Sequence, residues 1–471
     1  MDANRDDMER RRQKRAALNK KKKQEQKRMK RRLILAAVIV VVCGLFIFAM
    51  TGDNENSEQM GGEQQTQPVT EVATEVPDTP STTIHIKACG DLNVTDLSVE
   101  AGNTRLGYDY TKVFMDVAPL LSDADLTIMN FEGNLVGPPY GTQSGSAPQE
   151  MMTALARAGV DILQMANSYS VHNGIIGLNQ TLNGIRAAGM EPVGAFSTPE
   201  EFRKSRGYTI CEIQGVKVAI VAFTKGMGGL GLPAGNESCV NKLYVDYEST
   251  YRDIDEDGIK SILRSVASER PDITIALLHW GAEYNDTVFK SQETIAELMI
   301  KNGVDVIIGT HPHMVHKIEF DKEENTLIAY SLGDFFGDGT KSGTAYSIIL
   351  DIQITRDNTT GVTKIDDFTY TPIYTLSEAQ GGGQRRVVRI DDAMAAFEVN
   401  FVDKVTQEAY DSMAYSLERI EQRVATPRTV ECPECGRDLE VLVNKLGKLV
   451  IDKTCTCGEV LNADSDYSDY E

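Results

Sequence analysis

Five short apolar segments of this 471-residue chain are each followed closely by a side chain able to bind a metal. Gly90-Asp91 follows the first, Asn130-Phe131-Glu132-Gly133 the second and Asn167 the third. His279-Trp280-Gly281 follows the fourth, and His311-Pro312-His313 stands just beyond the fifth. A lone Asp or His in such a place is more often a cap or a satisfied structural group, but five together have no explanation in core packing. In α/β sheets the ligand crevice lies outside the carboxyl ends of the strands. The set offers carboxylates from Asp91 and Glu132, the amide oxygen of Asn167, and the imidazoles of His279, His311 and His313. That mixture suits manganese, iron or zinc better than calcium. Two such ions about 3.5–4 Å apart would clamp a phosphoryl oxygen and generate hydroxide near neutral pH. In an extended turn His311 and His313 would point the same way. Four of the six histidines lie between 279 and 316, although His316 reads better as a surface or supporting group.

The elements that must position these residues follow from periodicity. Residues 83–88 alternate as a strand, and 126–129, 162–165, 273–278 and 304–308 are short apolar runs of buried-strand type. Between them, 149–158, 176–188, 257–267 and 292–301 carry helical periodicity. In 257–267, Ile259, Ile262, Leu263 and Val266 form one face. The alternation predicts an α/β domain over 83–375. Its later segments, 315–320, 327–332, 346–354 and 368–373, suggest hairpins and hence mixed sheets. Residues 390–424 predict one long amphipathic helix or a kinked pair, with Ile390, Met394, Phe397, Phe401, Val405, Met413, Leu417, Ile420 and Val424 on the apolar stripe.

Charge is divided unevenly. Residues 1–32 hold 15 Lys/Arg against 5 Asp/Glu, while the remainder holds 33 against 64. Between the two lies 33–50, eighteen uncharged apolar residues, long enough for a short transmembrane helix. No small-residue cleavage site follows it, which favours an uncleaved anchor over a signal peptide. The positive-inside rule then predicts a cytoplasmic tail (1–32), one membrane span, and everything beyond outside the cell. Residues 51–82, rich in Glu, Gln, Thr and Pro, read as a disordered linker, and 463–471 as an acidic tail. The acidic body excludes a general phosphate-backbone binder, so no nucleic acid is expected as a partner.

The chain resembles the CapA family of poly-γ-glutamate capsule synthesis proteins, whose domain is similar to the calcineurin-like metallophosphatases. The residues that carry the resemblance are Gly90-Asp91, 130–133, 166–174, 279–284, Gly309-Thr310-His311-Pro312-His313 and 330–335. It implies a four-layer αββα sandwich with the site at one sheet edge, a divalent metal, and Asn130, Glu283 and Asp334 as supporting residues around the ligands. Departures concern the chemistry more than the framework. The family's Ala-Asn-Asn-His stretch reads Ala166-Asn167-Ser168-Tyr169 here, and His172 stands where the family has Asp. In metallophosphatases the replaced His is the one expected to protonate the leaving group. Tyr169, with an ordinary pKa near 10, is a poorer acid at neutral pH, and His172 is the other candidate catalytic acid. Asp334 replaces the family's Asn, and Thr310 the first His of its Gly-His-His-Pro-His.

A second site is suggested by Cys432-Pro433-Glu434-Cys435 and Cys455-Thr456-Cys457. With alternating residues between the pairs, segment 430–462 resembles a zinc ribbon in which Cys432, Cys435, Cys455 and Cys457 hold a structural zinc. Two disulfides are the rival, favoured by an extracellular side. Zinc is preferred because closely spaced cysteines close strained short loops.

Two functions remain open from these residues. One is a membrane-anchored extracellular protein of capsule or cell-envelope polymer synthesis or export, working as a metal-dependent hydrolase or transferase. The other is a non-catalytic polymer-binding or assembly factor on the same fold. An anionic capsule or cell-wall polymer and other capsule-synthesis membrane proteins are the expected partners. The acidic body would repel such a polymer unless cations intervene.

Overall fold

The first strand, β1 (Ser81–Asn93), shows how the chain enters its core. Residues 82–86 alternate in burial, and from Ile86 to Leu92 every side chain is buried. This is a computed structural model of the protein, and it describes residues 80–399, 405–444 and 448–462. The expected basic tail, membrane span, acidic tail and nearly all of the linker lie outside the described residues. Among the described residues, no helix is long and apolar enough to cross a membrane.

From β1 the chain builds a parallel half-sheet by crossover units. Strand β2 (Leu126–Glu132) leads through α1 (Gln149–Ala158) to β3 (Ile162–Gln164), and α2 (Gly174–Ala187) leads on to β4 (Glu191–Val193). Helix α1 buries Met151, Met152, Leu155 and Ala158, and α2 buries Leu178, Leu182 and Ile185. Ile176, counted on the predicted helix, is 76% exposed near its amino end. Gly159 ends α1 at φ 104°, the left-handed conformation that favours glycine there. A Cβ at that position would also lie 2.7 Å from the backbone of Ser122.

A second sheet follows. It contains β5 (Tyr208–Ile213), β6 (Val216–Thr224), β7 (Ile273–His279), β8 (Val306–Thr310), β9 (Ile318–Asp321) and β10 (Thr326–Ala329), in the order β9-β10-β8-β7-β6-β5. Strands β6, β7, β8 and β10 are parallel, with antiparallel β5 and β9 at the edges. Helix α3 (Glu256–Glu269) links β6 to β7, and α4 (Lys290–Lys301) links β7 to β8. Asp255 caps α3 by accepting from the Gly258 N–H at 3.0 Å. The predicted face of Ile259, Ile262, Leu263 and Val266 packs with Ile295, Ala296 and Met299 of α4 against Val221, Phe223, Leu278 and Ile307. Truncating one of those leucines or isoleucines to Ala would cost about 2–5 kcal/mol. Alternate residues of the same strands, Ile220, Ile275, Leu277 and Ile308, join the larger core shared with the first sheet.

The chain then returns to the first sheet through β11 (Asp334–Phe336), β12 (Tyr346–Asp357), β13 (Thr363–Leu376) and β14 (Arg386–Arg389). The sheet runs β14-β13-β12-β1-β2-β3-β4, with β11 also parallel to β1. The fold is therefore mixed α/β, and its sheet extends past residue 375. The 390–424 segment is a pair, α5 (Ile390–Glu398) and α6 (Gln407–Val424), with Met413, Ile420 and Val424 in the main core. Beyond it, β15 (Thr426–Glu431) and β16 (Asp438–Val443) form a hairpin, followed by the two-residue strands β17 (Lys453–Thr454) and β18 (Val460–Leu461). This end has its own small core of Val430, Val441, Val443, Leu449 and Leu461.

Candidate metal centre

The carboxyl ends of β1, β2, β7 and β8 meet where the two sheets face each other, and the predicted residues meet with them. Gly90 allows the approach of β11. A Cβ there would sit 1.8 Å from the Gly333 carbonyl, which instead accepts from the Asp91 N–H at 2.9 Å. Asp91, Asn130, Glu132, Asn167, His279, His311, His313 and Asp334 are all buried. Asn130 acts as a strut, because its Nδ2 donates to Asp91 Oδ1 at 2.7 Å and to Glu132 Oε1 at 3.2 Å. The second Asp91 oxygen accepts from the His311 backbone N–H at 3.0 Å and lies 3.3 Å from His313 Nδ1. Asp334 Oδ1 is 2.8 Å from the same nitrogen. The residue expected as a support thus stands among the candidate ligands.

Two groups have the mutual spacing that one ion requires, Glu132 with His311 and His313, and Asp91 with His313 and Asp334. The His-Pro-His turn is not extended as the spacing suggested. His311 and His313 both have positive φ, 90° and 58°, a conformation that costs about 1–3 kcal/mol for a non-glycine residue. The rings still converge, with centroids 6.1 Å apart.

The electrostatics call for a cation. Burial, then the charge of Asp91, pushes the Glu132 carboxyl well above its ordinary range. Burial likewise raises Asp334 to about 6, against the opposing pull of His313. Burial disfavours charge on His313, but Asp334, Asp91 and Glu132 outweigh it and hold the imidazole well above its usual value. His279 and His311 are pushed well below it by burial and by neighbouring positive groups, which leaves them neutral, the form that ligates metals. His311 Nδ1 is buried with no hydrogen-bond partner, an orphan of the kind a metal would satisfy. The donors present therefore fit a divalent ion.

Other predicted residues are placed differently. His279 Nε2 accepts from the Ser168 N–H at 3.1 Å and lies 3.0 Å from its hydroxyl, while Nδ1 is 3.5 Å from Glu132 Oε1. It lines the centre outside the two groups. Asn167 Nδ2 donates to Asn130 Oδ1 and Phe131 O, and its Oδ1 accepts from the Tyr169 N–H at 3.0 Å. Thr310 Oγ1 lies 3.4 Å from His279 Nδ1. Tyr169 is half-buried, and burial followed by Glu132 and Glu283 raises its pKa further. His172 is exposed, its ring 5.4 Å from that of Tyr169 and its Nε2 3.4 Å from the Gln143 carbonyl. Glu283 is exposed on the rim of a cavity beside His311.

The sequence reading missed three neighbours. Ser168 secures His279, and its position directly after Asn167 was the available signal. Tyr284 stacks on His313 with centroids 5.1 Å apart, and Lys341 lies 3.3 Å over its ring. Lys225 follows β6 directly and donates to the Gly281 carbonyl at 2.6 Å. Recognising 216–224 as a strand would have placed it at a sixth strand end beside the five already marked.

The four ribbon cysteines also converge. Cys432 Sγ lies 3.6 Å from Cys457 Sγ, and Cys435 Sγ 3.6 Å from Cys455 Sγ. All four sulfurs lie within 4.8 Å of one another, and none forms a disulfide. A tetrahedron with zinc–sulfur bonds of about 2.3 Å has edges of about 3.8 Å, so the cluster fits zinc closely.

The family model of the bacterial capsule synthesis protein PGA_cap matches residues 85–338. The chain is 28% identical over 265 residues to capsule biosynthesis protein CapA of Bacillus anthracis, covering 55% of this chain and 61% of that protein. It is 26% identical over 312 residues to PGA biosynthesis protein CapA of Bacillus subtilis, covering 62% and 77% respectively. Among solved structures, calcineurin-like phosphoesterase YfkN from Bacillus subtilis is similar at 16% identity and a TM-score of 0.38. That match covers 71% of this chain and 100% of that one.

Proposed function

The chain belongs to the bacterial capsule synthesis protein family PGA_cap, and we propose that it serves poly-γ-glutamate capsule synthesis through a divalent-metal centre. The observation that carries this reading is the buried convergence of Glu132, His311 and His313 with Asp91 and Asp334. These residues would hold the ion, with His279 and Asn167 as further ligands if their hydrogen bonds rearrange. A bound ion would polarise a phosphate, ester or amide oxygen and lower the pKa of water. The chain's own part is to hold Asp91 in register through Asn130, to keep His279 and His311 neutral, and to keep bulk water from the carboxylates.

The same proposal takes in the finer architecture and placement. The two sheets with α3 and α4 on one side and α1 and α2 on the other make a four-layer αββα sandwich, with manganese, iron or zinc in its centre. The cysteine cluster holds structural zinc. Residues 33–50 anchor the protein so that 51–471 face outward, beside other capsule-synthesis membrane proteins. A non-catalytic reading has one specific support, Tyr169, whose raised pKa makes it a weak proton donor where a leaving group would need one.

The test is to measure metal content and polymer cleavage or transfer by the full-length protein with manganese or zinc. Bound central metal with turnover lost in Tyr169→Phe supports catalysis with that acid. Metal and polymer binding without any turnover supports the assembly role. A protein that binds no metal beyond the ribbon's would sink the metal-centre reading.

A further inference from the structure

Beside His311 lies a cavity of about 300 Å³, the lower end of the usual size for small-ligand sites. Its walls include Ser168, Lys225, Tyr251, Glu283 and His311. Lys225 arises at the carboxyl end of β6, and Glu283 from the loop after β7. One Lys225 donor is used by the Gly281 carbonyl at 2.6 Å, and the ammonium rests 4.7 Å over the Tyr251 ring. A lysine ammonium has three donors, so two remain for a ligand. Among the described residues, Lys225 is the only cationic side chain lining this cavity, and Glu283 the only anionic one. Among the described residues neither forms an ion pair. The two charges face one space and are held more than a salt-bridge distance apart.

That arrangement complements a zwitterion. A ligand carboxylate would meet Lys225, a ligand ammonium would meet Glu283, and each would supply the opposite charge that the protein group lacks. An α-amino acid carries both charges on one carbon. In a γ-glutamyl chain the internal residues carry an α-carboxylate between neutral amides. Only the amino-terminal residue has a free α-ammonium beside its α-carboxylate. The acidic body also disfavours a long polyanion, whereas a zwitterionic end brings no net charge to the pocket. We propose that this cavity binds the zwitterionic α-amino-acid group at the amino terminus of a γ-glutamyl chain. This rests on the poly-γ-glutamate reading above and specifies which part of the polymer is recognised.

Calorimetry on the full-length protein tests it with four probes: γ-glutamylglutamate, its N-acetyl derivative, free glutamate and long poly-γ-glutamate. N-acetylation is expected to weaken dipeptide binding at least about tenfold, the loss of one charge-assisted contact. Glu283→Gln, on an exposed residue, and Lys225→Met should each weaken the free-amine dipeptide by a similar factor. Glu283→Gln should leave the acetylated form unchanged. Free glutamate binding more tightly than the dipeptide would overturn the chain terminus as the source of the group and assign it to the monomer. Equal binding of acetylated and free dipeptides, with the long polymer still bound, would overturn the proposal and leave the polymer reading standing. No binding of the long polymer by the wild-type protein would overturn both.

Discussion

The central site and the four-cysteine site are built in opposite ways. Asp91, Glu132, His279, His311 and Asp334 sit at or next to the ends of strands whose apolar faces belong to large cores. Asn130 and the His311 N–H fix Asp91 independently of any ion. The cysteines instead hang from a hairpin and short turns, with five buried apolar residues as their core. Cys435 and Cys457 are exposed. In the first region the fold makes the site; in the second, on the proposal that the cysteines hold zinc, the site must help make the fold.

The largest expected effect follows from that dependence. Structural zinc contributes about 10–16 kcal/mol of apparent binding energy in small zinc-finger peptides. Chelation, or Cys432→Ser, should therefore unfold residues 426–462 and expose them to protease, while the thermal transition of the α/β body stays in place. A hairpin that remains protected after chelation would show that its small core suffices, and the contrast would fail.

At the centre, two histidines of one turn should behave differently. His313 lies against Asp91 and Asp334, so His313→Ala leaves buried carboxylates uncompensated and should cost the metal-free body about 3–5 kcal/mol. His311 has an unpartnered Nδ1, and His311→Ala should cost less than about 2 kcal/mol, the transfer and packing loss alone. Both should lose the central metal and retain the ribbon's zinc. Denaturant unfolding with metal analysis of each variant decides this, and equal destabilisation would break the proposed asymmetry.

Much of this organisation was legible in the sequence because buried parallel strands are short apolar runs and ligand-bearing residues follow them. Residues 257–267 revealed both a helix and its buried face. The second sheet's first hairpin, β5 and β6, was not recognised. Tyr208–Ile213 has no fully buried residue in the structure, so its pattern is weak, and with β6 unassigned Lys225 had no strand end to mark it. The cysteine cluster was visible from spacing alone. The positive φ values of His311 and His313 were not, because they depend on β8, β11 and Asp91 meeting around the turn. His279 shows a further limit, since residue type announces a ligand but the Ser168 hydrogen bonds to Nε2 arise only from the fold.

The smallest effect separates a half-buried carboxylate with no part in the centre from those that form it. Asp305 stands just before β8, at the opposite end of the strand from His311. Its Oδ2 accepts from the Thr274 N–H at 2.7 Å, and burial raises its pKa to about 6 despite that bond. In the unfolded chain it would titrate near the ordinary aspartate value of about 3.9. Between these values the folded state holds a proton that the unfolded state has lost. Stability therefore falls as pH rises through that window and levels off above it. Asp305→Asn keeps an oxygen for Thr274 and removes the penalty of burying the charge. It should leave stability nearly unchanged at pH 4 and raise it by about 1 kcal/mol at pH 7.5, allowing for water at a partly exposed carboxyl. Central metal content should not change. A variant equally stable to wild type at both pH values would mean that the Thr274 bond offsets the burial of the charge. Loss of central metal would mean that the two ends of β8 are not independent.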